Sequence, residues 1–326
     1  MDVVLLIAGL IVLVASGEVL VRGAAGIALK ASIPPLIVGL TVVSIGTSAP
    51  ELFASVTAAL EGNPGLSVGN VIGSNIANLA LVLGITAIIY PIPVSKGILW
   101  FDGPIMMFVS ILFVLFAWNL QLEKWEGGVL LVLMVAFIVM LIIRSRRAKR
   151  REMIGDQASA NVDEELDGEM EDLAGFQKKS YLYLVVFVVA GCVGLYFGSD
   201  WFVSGASGIA DYFGVSDHII GVTVVAFGTS VPELVASIIA AFRRQTDISI
   251  GNLVGSNIFN VLSVLGFTSL VTDLPVNPEM LETDVWWMLG VALIIFPMIR
   301  MGYKIVRYEG FILLGIYIAY ITVALT

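Results

Sequence analysis

The sequence predicts an all-α membrane protein in which ten transmembrane helices form two inverted five-helix repeats, with helices 2 and 7 broken at mid-membrane. Three observations support this fold class. Only 13% of the 326 residues are charged and the mean hydropathy is +0.98, whereas a soluble domain is about 25% charged. One 46-residue segment occurs twice. Each copy places Gly, Pro and Glu inside an apolar run.

Apolar runs of about 18 residues or more recur along the chain, and this is the length that an α-helix needs to cross a bilayer. The first run lacks a basic n-region and a small-residue cleavage site, so we do not interpret it as a cleavable signal. Some runs exceed one crossing, and we expect these helices to tilt, break or project from the bilayer. The ten helices are predicted at residues 2–30, 33–61, 66–90, 100–119, 125–144, 180–211, 216–243, 248–271, 283–300 and 308–325.

Basic residues predict the orientation, because Lys and Arg are in excess in cytoplasmic loops. Six of them cluster between residues 144 and 151, and we assign this loop to the cytoplasm. The basic residues of the other loops then fall on the same side, with Lys124 as the clear exception. Both termini face outward in this topology. The absence of a long regulatory loop and of a eukaryotic targeting segment favours a multi-pass protein of a prokaryotic plasma (inner) membrane.

The predicted domain organisation is two five-helix halves joined by a polar loop. Because five is an odd number, the second half enters the membrane upside down, which is the architecture of secondary transporters with a site at the midplane. The loop carries nine acidic residues between Glu152 and Asp172, and we interpret it as a flexible cytoplasmic linker. An alternative is a weak calcium-sensing role for Asp163, Glu164, Glu165 and Asp167. The domains are predicted at residues 1–144, 145–179 (the linker) and 180–326.

The repeated segment covers residues 39–84 and 221–266, which align at a constant offset of 182 with 25 of 46 positions identical. A carboxylate at membrane depth is costly unless it has a partner. Two carboxylates in duplicated settings therefore suggest one shared cation site. The paired motifs are GTSAPE (46–51) with GTSVPE (228–233), and GNVIGSNIAN (69–78) with GNLVGSNIFN (251–260).

The motif at 46–51 predicts a break in the second helix, because Gly46 tolerates any backbone conformation and Pro50 removes a backbone donor. Ser48 followed by Glu51 is also the spacing of a capping box, which is the structural alternative. That alternative leaves an ionised Glu at the bilayer centre, at a cost of at least ~2.5 kcal/mol. A broken helix also frees carbonyl groups that need partners. A bound cation would neutralise the Glu and take the freed carbonyl groups as ligands. The second copy repeats the motif at 228–233.

The partner motifs supply neutral oxygen ligands. Asn70, Ser74 and Asn78 fall four residues apart on one helical face, beside Gly69 and Gly73, which permit close helix approach. The second copy repeats this set as Asn252, Ser256 and Asn260, with Gly251 and Gly255. The alternative is an interhelical hydrogen-bond ladder without a ligand. An all-oxygen set suits Ca²⁺ or Na⁺ and does not suit zinc or copper.

Other polar residues have simpler interpretations. Cys192 is the single cysteine, which excludes an intrachain disulfide, and we expect it to serve packing. His218 is the single histidine and is predicted in a short loop, with a gating or proton-linked role as the alternative. Glu18 and Arg22 are four residues apart and can pair on one helix. We expect these two residues and Asp200 to form a structural pair or an entrance vestibule, not primary ligands.

Together these motifs resemble the two alpha-repeats of the calcium/cation antiporter superfamily. GTSxPE paired with GSNIxN resembles the sodium/calcium exchanger branch of prokaryotic type more than the proton/calcium branch, whose segment typically reads GNAxE. The resemblance spans both repeats and the ten-helix plan. It implies a central group of ion sites, and it implies that the first and sixth helices slide across the core during alternating access.

The resemblance also implies roles for individual residues. The calcium ligands would be the Glu51 and Glu233 carboxylates with the carbonyls of Thr47 and Thr229. The sodium ligands would be the hydroxyls of Ser48, Ser74, Ser230 and Ser256 and the carbonyls of Ser44 and Ala226, with Asn78 and Asn260 facing the same pocket. Many sodium/calcium exchangers have Asp at the equivalent of Asn260, and potassium-dependent relatives have Asp at both Asn positions. The neutral pair argues against potassium co-transport.

The sequence therefore predicts a secondary antiporter that exchanges Ca²⁺ for Na⁺ by alternating access. The two glutamates supply a charge of −2, which one Ca²⁺ neutralises. Protons would compete for two adjacent carboxylates in a low dielectric, so an H⁺/Ca²⁺ antiporter is the alternative. A passive cation channel is a third candidate, although paired carboxylates favour tight occupancy over rapid passage.

The remaining predictions are negative. The sequence has no nucleotide-binding motif of a pump and no HExxH or paired catalytic Asp within a helix, so we do not expect an enzyme. We expect no cofactor, no nucleic acid and no obligate protein partner. The expected partners are membrane lipid and the transported ions Ca²⁺ and Na⁺ (or H⁺).

Overall fold

The computed structural model describes residues 1–153, 179–214 and 226–324, and these are helical apart from short strands and turns. Eight helices of the described residues are long and apolar enough to cross a membrane, or nine if the bent pair α2 and α3 forms one span. The chain is therefore a multi-pass membrane protein. The helices are α1 Asp2–Ala31, α2 Pro35–Thr47, α3 Ala49–Leu60, α4 Gly65–Ile89, α5 Ile98–Ala117, α6 Lys124–Met153, α7 Tyr181–Tyr212, α8 Ala226–Thr229, α9 Val231–Phe242, α10 Thr246–Val271, α11 Met280–Arg300 and α12 Arg307–Ala324.

The described helices follow the predicted order, and the count of ten transmembrane spans stays a prediction. The predicted second helix corresponds to α2 and α3, and the described part of the predicted seventh corresponds to α8 and α9. The prediction for the end of the fifth helix is wrong, because α6 continues past residue 144 to Met153. Its added turns consist largely of Arg, Lys, Ala, Glu and Met, which favour helix. His218 and the four acids of the calcium-sensing alternative lie outside the described residues.

Helices α4 and α10 form the centre of the molecule. In their most apolar stretches 78% and 83% of residues are buried, against 22% in α1 and in α12. Each central helix widens into a π-helical turn, at Ala77–Val82 and Asn260–Leu265. Such turns break the regular i to i−4 bonding and are frequent at functional sites. Both π-helical turns contain an asparagine that the sequence places in the candidate site.

Helices α1 and α7, which occupy equivalent places in the two repeats, pack against each other in antiparallel orientation. Gly205 lies against Leu6, Gly198 against Leu13 and Gly191 against Leu20, so one helix ascends as the other descends. A Cβ atom added at Gly198 would lie 2.9 Å from the backbone nitrogen of Leu13, which leaves no room for a side chain. Glycine is therefore required for this close approach.

Four two-residue strands join the repeats outside the helices. β1 (Ile92–Pro93) pairs with β4 (Lys304–Ile305), and β2 (Gln121–Leu122) pairs with β3 (Leu274–Pro275). β1 and β3 are equivalent at the repeat offset of 182, so each half pairs with the other half and not with itself. The two pairings tie the repeats together on either side of the central helices.

Candidate cation-binding site

The site begins at Ser48, which separates α2 from α3. Its backbone leaves helical geometry (φ −89°, ψ 6°), and the two helices bend by 41° around it. The capping-box interpretation is wrong here, because the Ser48 side chain makes no hydrogen bond to the first turn of α3. Its hydroxyl donates instead to Glu233 Oε1 at 2.9 Å. A carboxylate is a strong, charge-assisted acceptor, so this bond holds the Ser48 side chain toward the other repeat.

The second copy has the same local geometry. Ser230 separates α8 from α9 with φ −89° and ψ 0°, and its side chain does not cap α9 either. Pro50 and Pro232 lie in the first turns of α3 and α9, where a missing N–H group has no cost. The turn that follows each serine thus presents a glutamate from the start of a helix.

Glu51 and Glu233 are both 0% exposed and lie close enough to repel each other electrostatically. The hydroxyls of Thr47 and Ser256 lie close to the Glu233 carboxylate. Thr47 also donates to Asn252 Oδ1 of the other repeat at 3.0 Å. The structure therefore brings the predicted glutamates of the two halves into one buried polar centre.

This centre is short of hydrogen-bond partners. Ten buried side-chain N and O atoms of the described residues have no partner, and eight of the ten belong to six predicted site residues. Seven of those eight are oxygen atoms. Buried polar groups are nearly always satisfied, so such a concentration requires an explanation such as an ion. The eight atoms are both carboxylate oxygens of Glu51, Oε2 of Glu233, both amide atoms of Asn78, Oδ1 of Asn260 and the hydroxyl oxygens of Ser230 and Ser256.

The other predicted ligands have less distinctive surroundings. The Ser44 carbonyl accepts from the Ser48 backbone N–H at 3.0 Å and, at 3.5 Å, from the Thr47 hydroxyl. Ser74 is buried on α4. Thr229 is partly exposed and lines a cavity described below. Ala226 begins α8, and its side chain lies outside the described part.

A second layer of hydrogen bonds surrounds the site, and it includes two serines, Ser55 and Ser237, that the sequence prediction did not include. Asn70 donates to Ser55 Oγ at 3.0 Å, and its equivalent Asn252 donates to Ser237 Oγ at 3.3 Å. These asparagines link neighbouring helices, as the ladder alternative proposed, so they hold the broken helices in place. The signal was present, because Ser55 and Ser237 are identical positions of the repeat.

The predicted close approach of glycines is confirmed for the second copy. A Cβ atom at Gly251 would lie 2.7 Å from the Leu36 carbonyl oxygen, and one at Gly255 would lie 2.8 Å from Leu40 Cα. Helix α10 therefore touches the backbone of α2 directly. The residues equivalent to Leu36 and Leu40, at 218 and 222, lie outside the described residues.

A cavity of about 410 Å³ lies between α3 and α7 and reaches residues next to the site. It extends from Glu61, which follows α3, to Thr229 beside the site. Its lining includes two acidic residues and no basic residue, so its electrostatic potential attracts cations. The lining residues are Pro50, Phe53, Ala54, Thr57, Ala58, Glu61, Tyr196, Ser199, Asp200, Val203, Gly228 and Thr229.

Among the described residues, no three His, Cys, Asp or Glu side chains converge in a way that could hold a metal ion. A cation at this site would therefore be held by two carboxylates and several neutral oxygens. Such a ligand set suits a hard cation that is bound and released, more than a permanently held metal.

Comparisons with known proteins agree with this geometry. A family model for sodium/calcium exchanger protein matches residues 1–143 and 183–326. The chain is 35% identical to a putative antiporter, CaxA, of Alkalimonas amylolytica, covering 97% of this chain and 96% of that protein. It is 32% identical to the sodium/calcium exchanger MaX1 of Methanosarcina acetivorans, covering 98% and 97%.

A solved structure is also similar. The sodium-calcium exchanger NCX_Mj superimposes with a TM-score of 0.80 at 30% identity, covering 98% of this chain and 97% of that one. The relatives are transporters and not enzymes. The resemblance inferred from the two motifs is thereby confirmed, and the chain belongs to the sodium/calcium exchanger family.

Proposed function

We propose that this protein is a secondary antiporter that exchanges Ca²⁺ for Na⁺ by alternating access. The observation that carries the proposal is the set of eight partnerless polar atoms around two buried carboxylates from opposite repeats. One Ca²⁺ would neutralise both charges and accept the free oxygens as ligands. An empty pocket of this kind is energetically costly. The protein would therefore switch between its outward-open and inward-open conformations only when ions fill the pocket.

The proposed ligands follow the sequence prediction. The Glu51 and Glu233 carboxylates and the carbonyls of Thr47 and Thr229 bind Ca²⁺. The hydroxyls of Ser48, Ser74, Ser230 and Ser256 and the carbonyls of Ser44 and Ala226 bind Na⁺, with Asn78 and Asn260 in the same pocket. Support comes from the burial of these side chains where they are described, except for the partly exposed Thr229, and from the hydrogen bond of Ser48 to Glu233 across the repeats.

The proposed topology has ten transmembrane helices, broken at mid-membrane in helices 2 and 7. The halves are residues 1–144 and 180–326, joined by a cytoplasmic linker at 145–179. The two segments matched by the family model and the antiparallel packing of α1 against α7 support this division. The protein would lie in the plasma (inner) membrane with both termini outside.

Na⁺ as the coupling ion is supported by the family and by the similarity to MaX1, a sodium/calcium exchanger. A gradient-swap assay tests it. The purified protein is reconstituted in vesicles loaded with radioactive calcium, and a Na⁺ gradient or a pH gradient is imposed separately. We expect Na⁺ alone to drive calcium flux. Flux with the pH gradient alone would establish the H⁺/Ca²⁺ alternative, and flux with neither gradient at rates far above transporter turnover would indicate a channel.

The site is tested with Glu51→Gln and Glu233→Gln, each of which leaves a pocket charge of −1. We expect calcium flux to be abolished in both. A matched control is Glu126→Gln, because Glu126 is also buried but accepts the Glu123 backbone N–H at 2.8 Å at the start of α6. The control should keep its flux, and loss of flux in all three variants would indicate a general folding defect.

A further inference from the structure

Asn75 is a buried residue with no assigned role, and it holds the amide of Asn260. Its Oδ1 accepts the Asn260 Nδ2 group at 3.1 Å, and its own Nδ2 donates to the Asn257 carbonyl at 3.3 Å. Both ends of the Asn75 amide are thus occupied. The Asn260 nitrogen is turned toward Asn75, and the Asn260 oxygen is left without a partner.

The equivalent arrangement is absent from the other repeat. Asn257 is the counterpart of Asn75 at the repeat offset and is also buried, but it donates to the Leu253 carbonyl of its own helix at 2.8 Å. Asn78, the counterpart of Asn260, has no partner on either amide atom. One of the two site amides is therefore fixed in orientation, and the other is not.

We propose that Asn75 is a positioning residue that presents the carboxamide oxygen of Asn260 to the cation. A cation binds the oxygen of an amide and is repelled by its NH₂ group, so the orientation decides whether Asn260 acts as a ligand. An amide fixed in advance pays no ordering entropy on binding. The proposal rests on the proposed function, since it assumes that the site binds Ca²⁺.

The test compares Asn75→Leu with Asn257→Leu. Both remove a buried amide of similar size, but only the first frees Asn260. We expect the KM for Ca²⁺ to rise about tenfold in Asn75→Leu, with kcat nearly unchanged, and less than about twofold in Asn257→Leu. Asn260→Asp has two equivalent oxygens and cannot be misoriented, so in that background Asn75→Leu should no longer raise the KM.

Equal KM values in the wild type and Asn75→Leu would overturn the proposal, as would an effect that persists in full in the Asn260→Asp background. Thermal unfolding of each variant reports folding, and Asn75→Ala replaces the leucine variant if that one does not reconstitute. If the wild type itself moves no calcium, the proposed function fails first. If the wild type transports normally and Asn75→Leu is unchanged, only the positioning role fails.

A second, independent observation concerns the positions that are equivalent, at the repeat offset, to those beside the cavity. There Glu18 of α1 pairs with Arg22 of the same helix and with Arg243, which follows α9. The Arg243 contact is bidentate, and its Nε lies 3.2 Å from Glu18 Oε2. Gly17 lies directly against Val235 and Ile239 of α9. Helices α1 and α9 are thus joined by an ion cluster and an aliphatic contact.

The repeat offset places different residues at the equivalent positions beside the cavity. Ser199 is the counterpart of Gly17, and Phe53 and Thr57 are the counterparts of Val235 and Ile239. All three line the cavity, so the equivalent contact is open. Asp200 is the counterpart of Glu18, and Glu61 is the counterpart of Arg243. Where one side has an attractive pair, the other has two acids of like charge that line the cavity.

The geometry points to Glu18, Arg22 and Arg243 as a latch that keeps one access route closed while the cavity is open. A conformational change that slides α1 away from α9 has to break the bidentate pair. The matching motion of α7 toward α3 has to bring Asp200 and Glu61 together. Losing the attractive pair and bringing the two acids together both cost electrostatic energy. The charge pattern therefore shifts the equilibrium between the two conformations toward the one seen here, in which the cavity is open.

Cysteine reactivity tests the latch without reference to transport. In a Cys192→Ser background, Thr57→Cys reports the cavity side and Ile239→Cys the closed side. With Arg243→Gln, we expect the rate of reaction with a charged thiol reagent to rise about fivefold at position 239 and to fall at position 57. Arg244→Gln is the matched control, because it removes the neighbouring exposed charge, and it should change neither rate by more than about twofold.

Unchanged rates in Arg243→Gln would overturn the latch, as would equal changes in Arg243→Gln and Arg244→Gln. A second variant, Glu61→Arg, creates an attractive pair with Asp200 and should slow the reaction at position 57. Val235→Cys replaces Ile239→Cys if the latter disturbs packing. Because these rates are measured without ion gradients, a failure of the latch and a failure of calcium transport remain distinguishable.

Discussion

Glu51 and Glu233 occupy equivalent positions of the two repeats, yet their surroundings differ. Glu233 accepts a hydrogen bond from Ser48 at 2.9 Å, whereas neither carboxylate oxygen of Glu51 has a partner. Ser230, the counterpart of Ser48, also lacks a partner. The first repeat therefore supplies a donor to the second, and the second does not return it. Duplication provides matching residues in the two halves. In the conformation seen here, however, only the Glu233 carboxylate has a hydrogen-bond partner, and the Glu51 carboxylate is left to an ion.

The largest expected effects come from neutralising the two glutamates in turn. Either Glu51→Gln or Glu233→Gln should weaken Ca²⁺ binding by about 3 kcal/mol or more, because half of the buried countercharge is removed. The ion-free proteins should differ. Glu51→Gln removes an unpartnered carboxylate and should stabilise the ion-free protein by about 1–3 kcal/mol. Glu233→Gln also loses the charge-assisted bond from Ser48 and should stabilise it less.

Thermal unfolding in buffer without Na⁺ and Ca²⁺, and then with saturating Ca²⁺, measures both effects. The calcium-induced rise in Tm should disappear in the two variants. Equal Tm values for the two ion-free variants would contradict the comparison, because they would mean that the carboxylates have equivalent surroundings in solution.

A second comparison concerns two aspartates at equivalent positions of α5 and α11. Asp102 is fully buried and pairs with Arg144 through two contacts, one of them at 3.3 Å, whereas Asp284 is partly exposed and lies beside the Tyr320 hydroxyl. Arg144→Gln should destabilise the protein by about 3 kcal/mol, because an unpaired buried charge remains. Tyr320→Phe should cost about 1 kcal/mol or less.

Reversible unfolding in mixed micelles compares these variants with the wild type. The double variant Asp102→Asn/Arg144→Gln is the control, since it removes the charge that Arg144→Gln leaves behind and should recover much of the stability. A double variant no more stable than Arg144→Gln would mean that Arg144 acts through packing, for instance against Phe101, and not through its charge.

The contrast between the halves explains how far the sequence could predict this molecule. Hydropathy and the repeat predicted helices that match those described, and motif spacing predicted that Glu51 and Glu233 meet in a buried centre. The same repeat made the halves look equivalent, so it could not indicate which side holds the cavity. That difference depends on tertiary packing, such as Gly17 against α9, and on substitutions outside the motifs. Asn75 lies within the motif GNVIGSNIAN, but the orientation of its amide is set by a neighbouring helix.

The end of α6 and the paired strands were missed for other reasons. Two-residue strands such as Ile92–Pro93 are too short to produce an alternating pattern. A run of basic residues indicates a cytoplasmic position but does not end a helix, since Arg and Lys are good helix formers. The capping-box interpretation of Ser48 and Glu51 was wrong because the Ser48 side chain turns to Glu233 of the other repeat, a partner that spacing within one helix cannot indicate.

The smallest expected difference separates the two serines at the helix breaks. Ser48→Ala removes a hydrogen bond to the Glu233 carboxylate and should destabilise the ion-free protein by about 2 kcal/mol. Ser230→Ala removes a hydroxyl without a partner and should change stability by less than about 0.5 kcal/mol. Both hydroxyls are proposed sodium ligands, so both variants should show a raised KM for Na⁺ in vesicle flux. Equal destabilisation by the two alanines would mean that Ser230 pairs with Glu51 in solution. The difference between the two glutamates would then be a property of the conformation seen here and not of the ion-free protein in general.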